Sequence, residues 1–318
     1  MWLEDIGFYT LSDKRAKESS SSSPLYRCEL LLTSRCNFHC PYCRGLKGAE
    51  DLPFNKAERI LKYWISEDLQ NIRFSGGEPI LYEKLPQLVR IAKRGGVKHI
   101  AVSTNGSGGA DLYKRLIECG VNDFSVSLDA CCANTGAIMS GRKNVWGQVL
   151  KNIELLSSLT YVSAGIVLND KNKEEASKIV MLAHKLGVKD IRVIPSAQFN
   201  RKLRLEIPDS VSQAHPILKY RLTNNRHVRG LNWLDSKKCK LVLDDMAVWN
   251  GEHYPCIIYL REGGKAIGNM NSRRVRLDRF DWYINHNSWT DPICHKNCLD
   301  VCIAFNNCAR KENDERSN

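Results

Sequence analysis

No stretch of this 318-residue chain approaches the roughly 18 consecutive apolar residues that a membrane-spanning helix needs, which excludes an integral membrane helix. A secretory signal is missing too. The chain starts on the acidic Met1-Trp2-Leu3-Glu4-Asp5, without a basic start, a continuous apolar run or a small-residue cleavage site. The expected location is therefore the cytoplasm, where thiols stay reduced. An even set of cysteines is lacking as well: the count is thirteen, so complete disulfide pairing is excluded. Nor is the chain short enough to depend on disulfide staples, because its length is about two domains' worth. What it has in excess is thiol and positive charge, with 47 Lys plus Arg against 35 Asp plus Glu, a net +12. Thiol in such excess in a reduced compartment points to metal ligation, and the charge points to an anionic ligand.

Residues 1–24 end in Glu18, five serines (Ser19 to Ser23) and Pro24, a composition expected to form a flexible lead-in. From residue 25 to 200, short β-rich runs alternate with amphipathic helical stretches. Strands are predicted at Tyr26–Thr33, Asn71–Ser75, Lys98–Thr104, Asn122–Leu128, Tyr161–Leu168 and Lys189–Pro195. After the first strand, Asn55 as N-cap with Glu58 resembles a capping box, and Ala57, Ile60, Leu61, Trp64, Ile65 and Leu69 share one helical face. Gly95, Gly120 and Gly187 are predicted left-handed C-caps. Six β-then-α units imply an α/β fold with a parallel sheet and right-handed crossovers. Whether the sheet is open or closes into a barrel, ligands sit at the carboxyl ends of its strands. From 201 to 318 the alternation stops. That part holds a basic stretch, a predicted hairpin around Tyr254–Ile267 turning at Gly263-Gly264, and six cysteines, and reads as a smaller appended domain.

The strongest local signal is Cys36-Asn37-Phe38-His39-Cys40-Pro41-Tyr42-Cys43, directly after the first strand. Three thiolates so spaced can converge on one soft metal centre. A structural zinc wants four ligands, and so does a fully protein-ligated iron–sulfur cluster, so three cysteines suggest a [4Fe–4S] cluster with one open iron. The alternative is zinc, with His39 or a remote residue as fourth ligand.

The spacing C-x3-C-x2-C with an aromatic residue before the last cysteine resembles the signature of the radical S-adenosylmethionine (SAM) superfamily. Further matches come in that family's order: Ser75-Gly76-Gly77-Glu78-Pro79 ends the second strand, Ser103-Thr104-Asn105-Gly106 the third and Ser125-Val126-Ser127-Leu128-Asp129 the fourth. The resemblance implies a partial (β/α)6 barrel, SAM chelated to the open iron of a cluster on Cys36, Cys40 and Cys43, and reductive cleavage to a 5′-deoxyadenosyl radical. It implies SAM contacts at Tyr42, Gly76, Gly77, Glu78, Ser103, Asn105, Ser127, Asn169 and Ile194, and an electron donor such as flavodoxin or ferredoxin. It assigns no general acid or base.

Cys239, eleven residues, Gly251, four residues and Cys256 resemble the opening of the SPASM and twitch auxiliary-cluster domains. Cys294, Cys298, Cys302 and Cys308 follow at spacings of three, three and five, which departs from the SPASM pattern and favours a twitch-like domain with one [4Fe–4S] cluster. Cys239 and Cys256 are its expected ligands, with two of Cys294, Cys298 and Cys302; Cys308 ranks last, and a structural zinc is the alternative. Cys28 and Cys119 read as core residues, and Cys131-Cys132 as packing or a catalytic thiol.

Basic residues concentrate at Arg201, Lys202, Arg204, Lys219, Arg221, Arg226 and Arg229, and at Arg273, Arg274, Arg276 and Arg279. They read as a solvated face or as a site for phosphate or carboxylate. In layout the chain resembles the radical SAM enzyme of molybdopterin biosynthesis, which takes a nucleotide triphosphate, so an anionic small-molecule substrate is expected. A peptide substrate is the enzymatic alternative, although the 24 residues ahead of the barrel are expected to hold no leader-binding domain. From another class, a zinc- or cluster-binding protein could grip nucleic acid through its arginines, with steep salt dependence.

Overall fold

The computed structural model describes residues 1–8, 11–199 and 203–315. Nine strands form one sheet: β1 (Arg27–Thr33), β2 (Asn71–Gly76), β3 (His99–Thr104), β4 (Asp123–Ser127), β5 (Tyr161–Leu168), β6 (Asp190–Pro195), β7 (Asp245–Trp249), β8 (Glu252–Tyr254) and β9 (Gly268–Asn269). Their order is β6-β5-β4-β3-β2-β1-β7-β8-β9. All pairs from β6 to β7 are parallel, and β8 and β9 add antiparallel edges.

Alternation along each strand separates two chemistries. Cys28, Leu30 and Leu32 of β1, Ile72 and Phe74 of β2, and Phe124 and Val126 of β4 point to the covering helices. There they meet Leu61, Trp64, Leu88, Leu116, Leu156 and Ile179. Each such side chain contributes about 1.5–3 kcal/mol when fully buried. The other face is charged and paired: Arg27 to Glu29 (3.4 Å) and Asp245 (3.6 Å), and Arg73 to Asp123 (3.5 Å). Ser75 donates to Glu29 at 2.8 Å. Burial alone would raise the Glu29 carboxyl, but Arg261, Arg27 and Arg73 hold it below its ordinary value.

Four expectations are corrected. The described residues among the first 24 are packed onto the rest of the chain, where a flexible lead-in was expected. Leu3, Ile6, Leu11 and Ala16 are buried against Val301, Phe305 and Ala309 of the helix Asp300–Glu315, and Arg15 pairs with Asp244. Four apolar side chains outweigh a serine-rich average, because burial depends on position and not on composition. Second, the C-terminal part does not stand apart at 201: β7 pairs in parallel with β1, Arg27 opposite Asp245, so one sheet crosses the expected boundary. Third, β8 and β9 do pair antiparallel around Tyr254–Ile267, but the stretch is not a tight hairpin turning at Gly263-Gly264. Its centre is a helix, Ile257–Arg261, that ends at Gly263 (φ +78°). The tight hairpin is β7–β8, turning at Asn250-Gly251, where φ of +48° and +83° suits those two residues. Fourth, the helix Phe54–Ser66 starts at Pro53 without the Asn55 capping box, and the left-handed residue after Arg94 is Gly96, not Gly95.

Among the described residues no helix is long and apolar enough to cross a membrane, and all thirteen cysteines are free thiols.

Candidate functional site

The loop after β1 is held by backbone contacts to the end of β2. Gly77 N–H donates to Thr33 O (2.7 Å) and Glu78 N–H to Arg35 O (2.8 Å). That approach requires glycine. A Cβ on Gly76 (φ +141°) would lie 2.3 Å from Thr33 O, and one on Gly77 would lie 2.2 Å from Arg35 O. Arg35 is in turn forked onto Asp51 at 2.9 and 2.6 Å. Further along the loop, Asn37 bonds Ser107 and Asn105, both at 2.8 Å, and His39 N–H donates to Ser140 O at 2.8 Å. The residues between the cysteines thus fasten the loop to the end of β3 and to the end of the helix Ala133–Ser140. Gly77→Ala is expected to displace this loop and to halve the iron bound on anaerobic reconstitution, since backbone on both sides blocks relaxation; iron and sulfide analysis reads it.

Cys36, Cys40 and Cys43 lie close enough to disturb one another's ionisation. Burial raises the Cys36 and Cys40 thiols, Cys40 to about 12, with Asp129 and Cys43 adding to it. A bound metal would have to supply the charge that makes them thiolates. Among the described residues, the metal-binding side chains whose ligand atoms come within 4.8 Å of one another are Cys131, Cys132 and Glu175, and His286, Asp291 and Cys294. The loop triad with His39 is not such a group. A single tetrahedral zinc sets its sulfurs about 3.8 Å apart.

A cavity opens beside this loop, lined by Phe38, Cys40, Tyr42, Asn105, Ser127 and Asp129, with Met139 and Trp146 closing it. The Tyr42 hydroxyl donates to Asp129, whose other oxygen accepts Val167 N–H at 2.6 Å. Burial pushes the Asp129 carboxyl up to about 6. Of the expected SAM contacts, Tyr42, Asn105 and Ser127 meet here together with Cys40. Asn169 reaches the cavity only through Met139, its Nδ2 3.8 Å from Sδ. Ser103 stands in β3 opposite Ser125, and Ile194 in β6 opposite Val167, both half-buried. Glu78 is buried, and its carboxylate accepts from Thr104 Oγ1 (2.7 Å), Asn105 N–H (2.6 Å) and Ile80 N–H (3.3 Å). Burial nevertheless raises it to about 7. It braces β2 against β3. Sequence reasoning missed Phe38, Trp146 and Asp129 as site residues, although Asp129 closes the fourth-strand motif.

A second, enclosed cavity is lined by five cysteines, Cys239, Cys256, Cys294, Cys298 and Cys302. Burial raises all five thiols, Cys256 to about 12, and their mutual repulsion raises Cys256, Cys294, Cys298 and Cys302 further. Neutral thiols in an apolar pocket are a donor set that fits an iron–sulfur cluster. Cys308 lies outside the cavity, its Sγ 3.8 Å from Asp13 O. Cys28 and Cys119 are buried in the main core.

The basic stretches do not form the open patch that the sequence suggested. Arg221 pairs with Asp300 and Arg226 with Asp235; Arg276 donates to Ser21 O. Arg279 is fully buried among carbonyls. Arg201 and Lys202 lie outside the described residues. Instead Arg44 of the cysteine loop, Arg229 and Arg261 come together where the barrel meets the C-terminal part. Burial, then the charges of Arg44, Arg221 and Arg261, lowers Arg229 to about 10. Arg229 donates to Pro195 O at the end of β6, Arg44 pairs with Glu262, and Arg261 reaches Glu29 at 3.7 Å.

Comparisons with known proteins bear on the family and the fold. The chain is 30% identical over 177 residues to a protein of Saccharolobus islandicus named "Probable GTP 3',8-cyclase", covering 54% of this chain and 57% of that protein. It is 28% identical over 210 residues to a GTP 3',8-cyclase of Rhodopseudomonas palustris, covering 61% and 60%. The chain thus spans under two thirds of the length of these relatives. In fold it resembles SuiB of Streptococcus suis, with a TM-score of 0.59, 15% identity, and coverage of 86% of this chain and 67% of that one. SuiB has also been solved bound to S-adenosylmethionine and to its precursor peptide SuiA. The cysteine-rich C-terminal part fits an auxiliary-cluster domain, and residues 30–183 match the radical SAM superfamily.

Proposed function

We propose that this chain is a radical SAM enzyme acting on an anionic organic substrate. One observation carries the reading: the three-cysteine loop is bonded through Thr33 O and Arg35 O onto Gly77 and Glu78, beside a cavity that holds Cys40, Tyr42, Asn105 and Ser127. Cys36, Cys40 and Cys43 would hold a [4Fe–4S] cluster. Cys239 and Cys256, with two of Cys294, Cys298 and Cys302, would hold a second. With SAM bound, and reduced by an external electron donor, the first cluster would supply the one-electron chemistry that starts a radical reaction on the substrate.

The chain's own part is positioning and exclusion of water. Tyr42 ties the loop to Asp129, so that Cys40 and Cys43 keep their place against the barrel. Asn105 and Ser127 offer polar groups at the ends of β3 and β4, where a carboxylate or ribose hydroxyl would need them. Phe38, Met139 and Trp146 keep the cavity apolar elsewhere, as a carbon radical requires. For the substrate, Arg44, Arg229 and Arg261 gather beside the end of β6, where Arg229 donates to Pro195 O. An anion placed there would relieve the crowding of guanidiniums. The GTP 3',8-cyclase name of the relatives supports a nucleotide-like anion.

The test is anaerobic reconstitution of the full chain. The expected result is about 8 iron per chain, a visible band bleached by dithionite, and 5′-deoxyadenosine formed from SAM. In the same assay, nucleoside triphosphates should raise the melting temperature in a salt-sensitive way while neutral nucleosides do not. A fully reduced cluster that yields no 5′-deoxyadenosine overturns the enzyme reading, and equal response to neutral nucleosides overturns the anionic substrate.

A further inference from the structure

A third cluster of thiols lies apart from both cysteine-rich centres. Cys131 and Cys132 follow Asp129 and Ala130 off the end of β4, and Glu175 ends the turn Lys173–Glu175 before the helix Ala176–Lys185. Their ligand atoms all lie within 4.8 Å of one another. Cys131 Sγ is 3.2 Å from Glu175 Oε2. The other carboxylate oxygen accepts the Thr135 hydroxyl at 2.6 Å, and that hydroxyl oxygen is 3.4 Å from Cys132 Sγ. All three side chains are half-buried, so they are reachable from solvent yet held by their surroundings.

Two sulfurs and a carboxylate oxygen, brought from two different elements, are the donor set of a borderline-soft divalent ion. Tetrahedral zinc, with bonds of about 2.0–2.3 Å, spaces its ligand atoms by about 3.3–3.8 Å, which small rotations about the side-chain bonds would reach from the arrangement seen. Thr135 holds the carboxylate by its second oxygen, as an outer partner does for a metal ligand. Packing alone would not require a charged carboxylate facing two thiols.

We propose that Cys131, Cys132 and Glu175 bind a thiophilic divalent cation of the zinc class, with water completing its coordination. The ion would join the loop after β4 to the start of the helix Ala176–Lys185. That loop begins with Asp129 and Ala130, which line the cavity beside the cysteine loop. Asn172 Nδ2 already donates to Asp129 O at 2.9 Å and to Val167 O at 2.8 Å. The ion therefore adds a second tie behind the Tyr42–Asp129 contact. It stands independently of the reaction the enzyme performs.

The full-length protein, with its iron centres first filled anaerobically, is titrated with Co²⁺. Cobalt occupies zinc sites and reports thiolate ligation and tetrahedral geometry in its difference spectrum. One equivalent is expected to bind with that signature and to be displaced by Zn²⁺. Cys132→Ser and Glu175→Gln are expected to remove or severely weaken it, and Thr135→Val to lower the affinity about 10–100-fold. Iron content and far-ultraviolet circular dichroism, read on the same samples, show whether each variant is folded. Thr135→Val exchanges only a hydroxyl for a methyl, which keeps the test open if a cysteine variant misfolds. A wild-type protein without the cobalt–thiolate signature, or uptake unchanged in both Cys132→Ser and Glu175→Gln, overturns the proposal and leaves the two thiols as packing.

Discussion

Replacing Cys40 by alanine will bring 5′-deoxyadenosine formation down to background and lower iron from about 8 to about 4 per chain. The cavity beside the loop explains why this cysteine is the informative one. Cys40 is the thiol of the three that lines it, and its Sγ lies near Asp129, which raises it further after burial. With two thiols left, a cluster lacks a third protein ligand, while the five cysteines of the second cavity lie on other elements and are untouched. Cys308→Ala serves as the control: its thiol packs toward Asp13 O, so iron and product should stay at wild-type levels. Iron analysis and chromatographic assay of 5′-deoxyadenosine check both. Retention of full iron and product in the Cys40 variant would rule out the assignment of the first cluster.

The second large effect concerns stability. Arg279 is 1% exposed and donates to Val242 O (2.8 Å), Tyr254 O (3.1 Å), Pro255 O (3.3 Å) and Asp245 O, with His253 Nδ1 at 3.2 Å. One guanidinium thus joins the turn before β7, β7 itself, β8 and the residue preceding Cys256. Burial lowers it to about 10, so it is still charged at neutral pH. Arg279→Met leaves four carbonyls without that donor and is expected to cost about 3–5 kcal/mol. The melting temperature should fall on the order of 10 °C. Iron should drop toward about 4 per chain as the C-terminal cavity loosens. Arg279→Lys should not rescue it, because an ammonium cannot reach acceptors spread over a planar fork. Anaerobic melting with iron analysis decides. A variant with unchanged melting temperature and full iron would show that Arg279 is dispensable to the fold.

Much of the barrel was legible in the chain. The six strands from Tyr26 to Pro195 could be read because each is a short apolar run bounded by turn residues, and period-two alternation survives in them even where one face is charged. The thiol groups could be read too, since their spacing is a covalent property of the chain. Three things were not legible. The N-terminal segment packs through Leu3, Ile6, Leu11 and Ala16, whose partners Val301 and Phe305 lie almost three hundred residues away in sequence. β7 joins the sheet beside β1, a long-range pairing that no local pattern announces. The arginines of the C-terminal part read as a surface patch, yet Arg221, Arg226 and Arg279 are used internally, because burial and partner are set by the fold and not by residue type.

By itself, then, the sequence determined which atoms are available for ligation and in what order along the chain, because spacing and residue type are local. Only the tertiary structure decided which of them meet: Cys308 apart from the other five C-terminal cysteines, Glu78 turned inward as a brace, Arg279 buried, and Cys131 and Cys132 facing Glu175 across 43 residues. Those outcomes rest on long-range packing, where contacts between distant segments determine the position of each side chain.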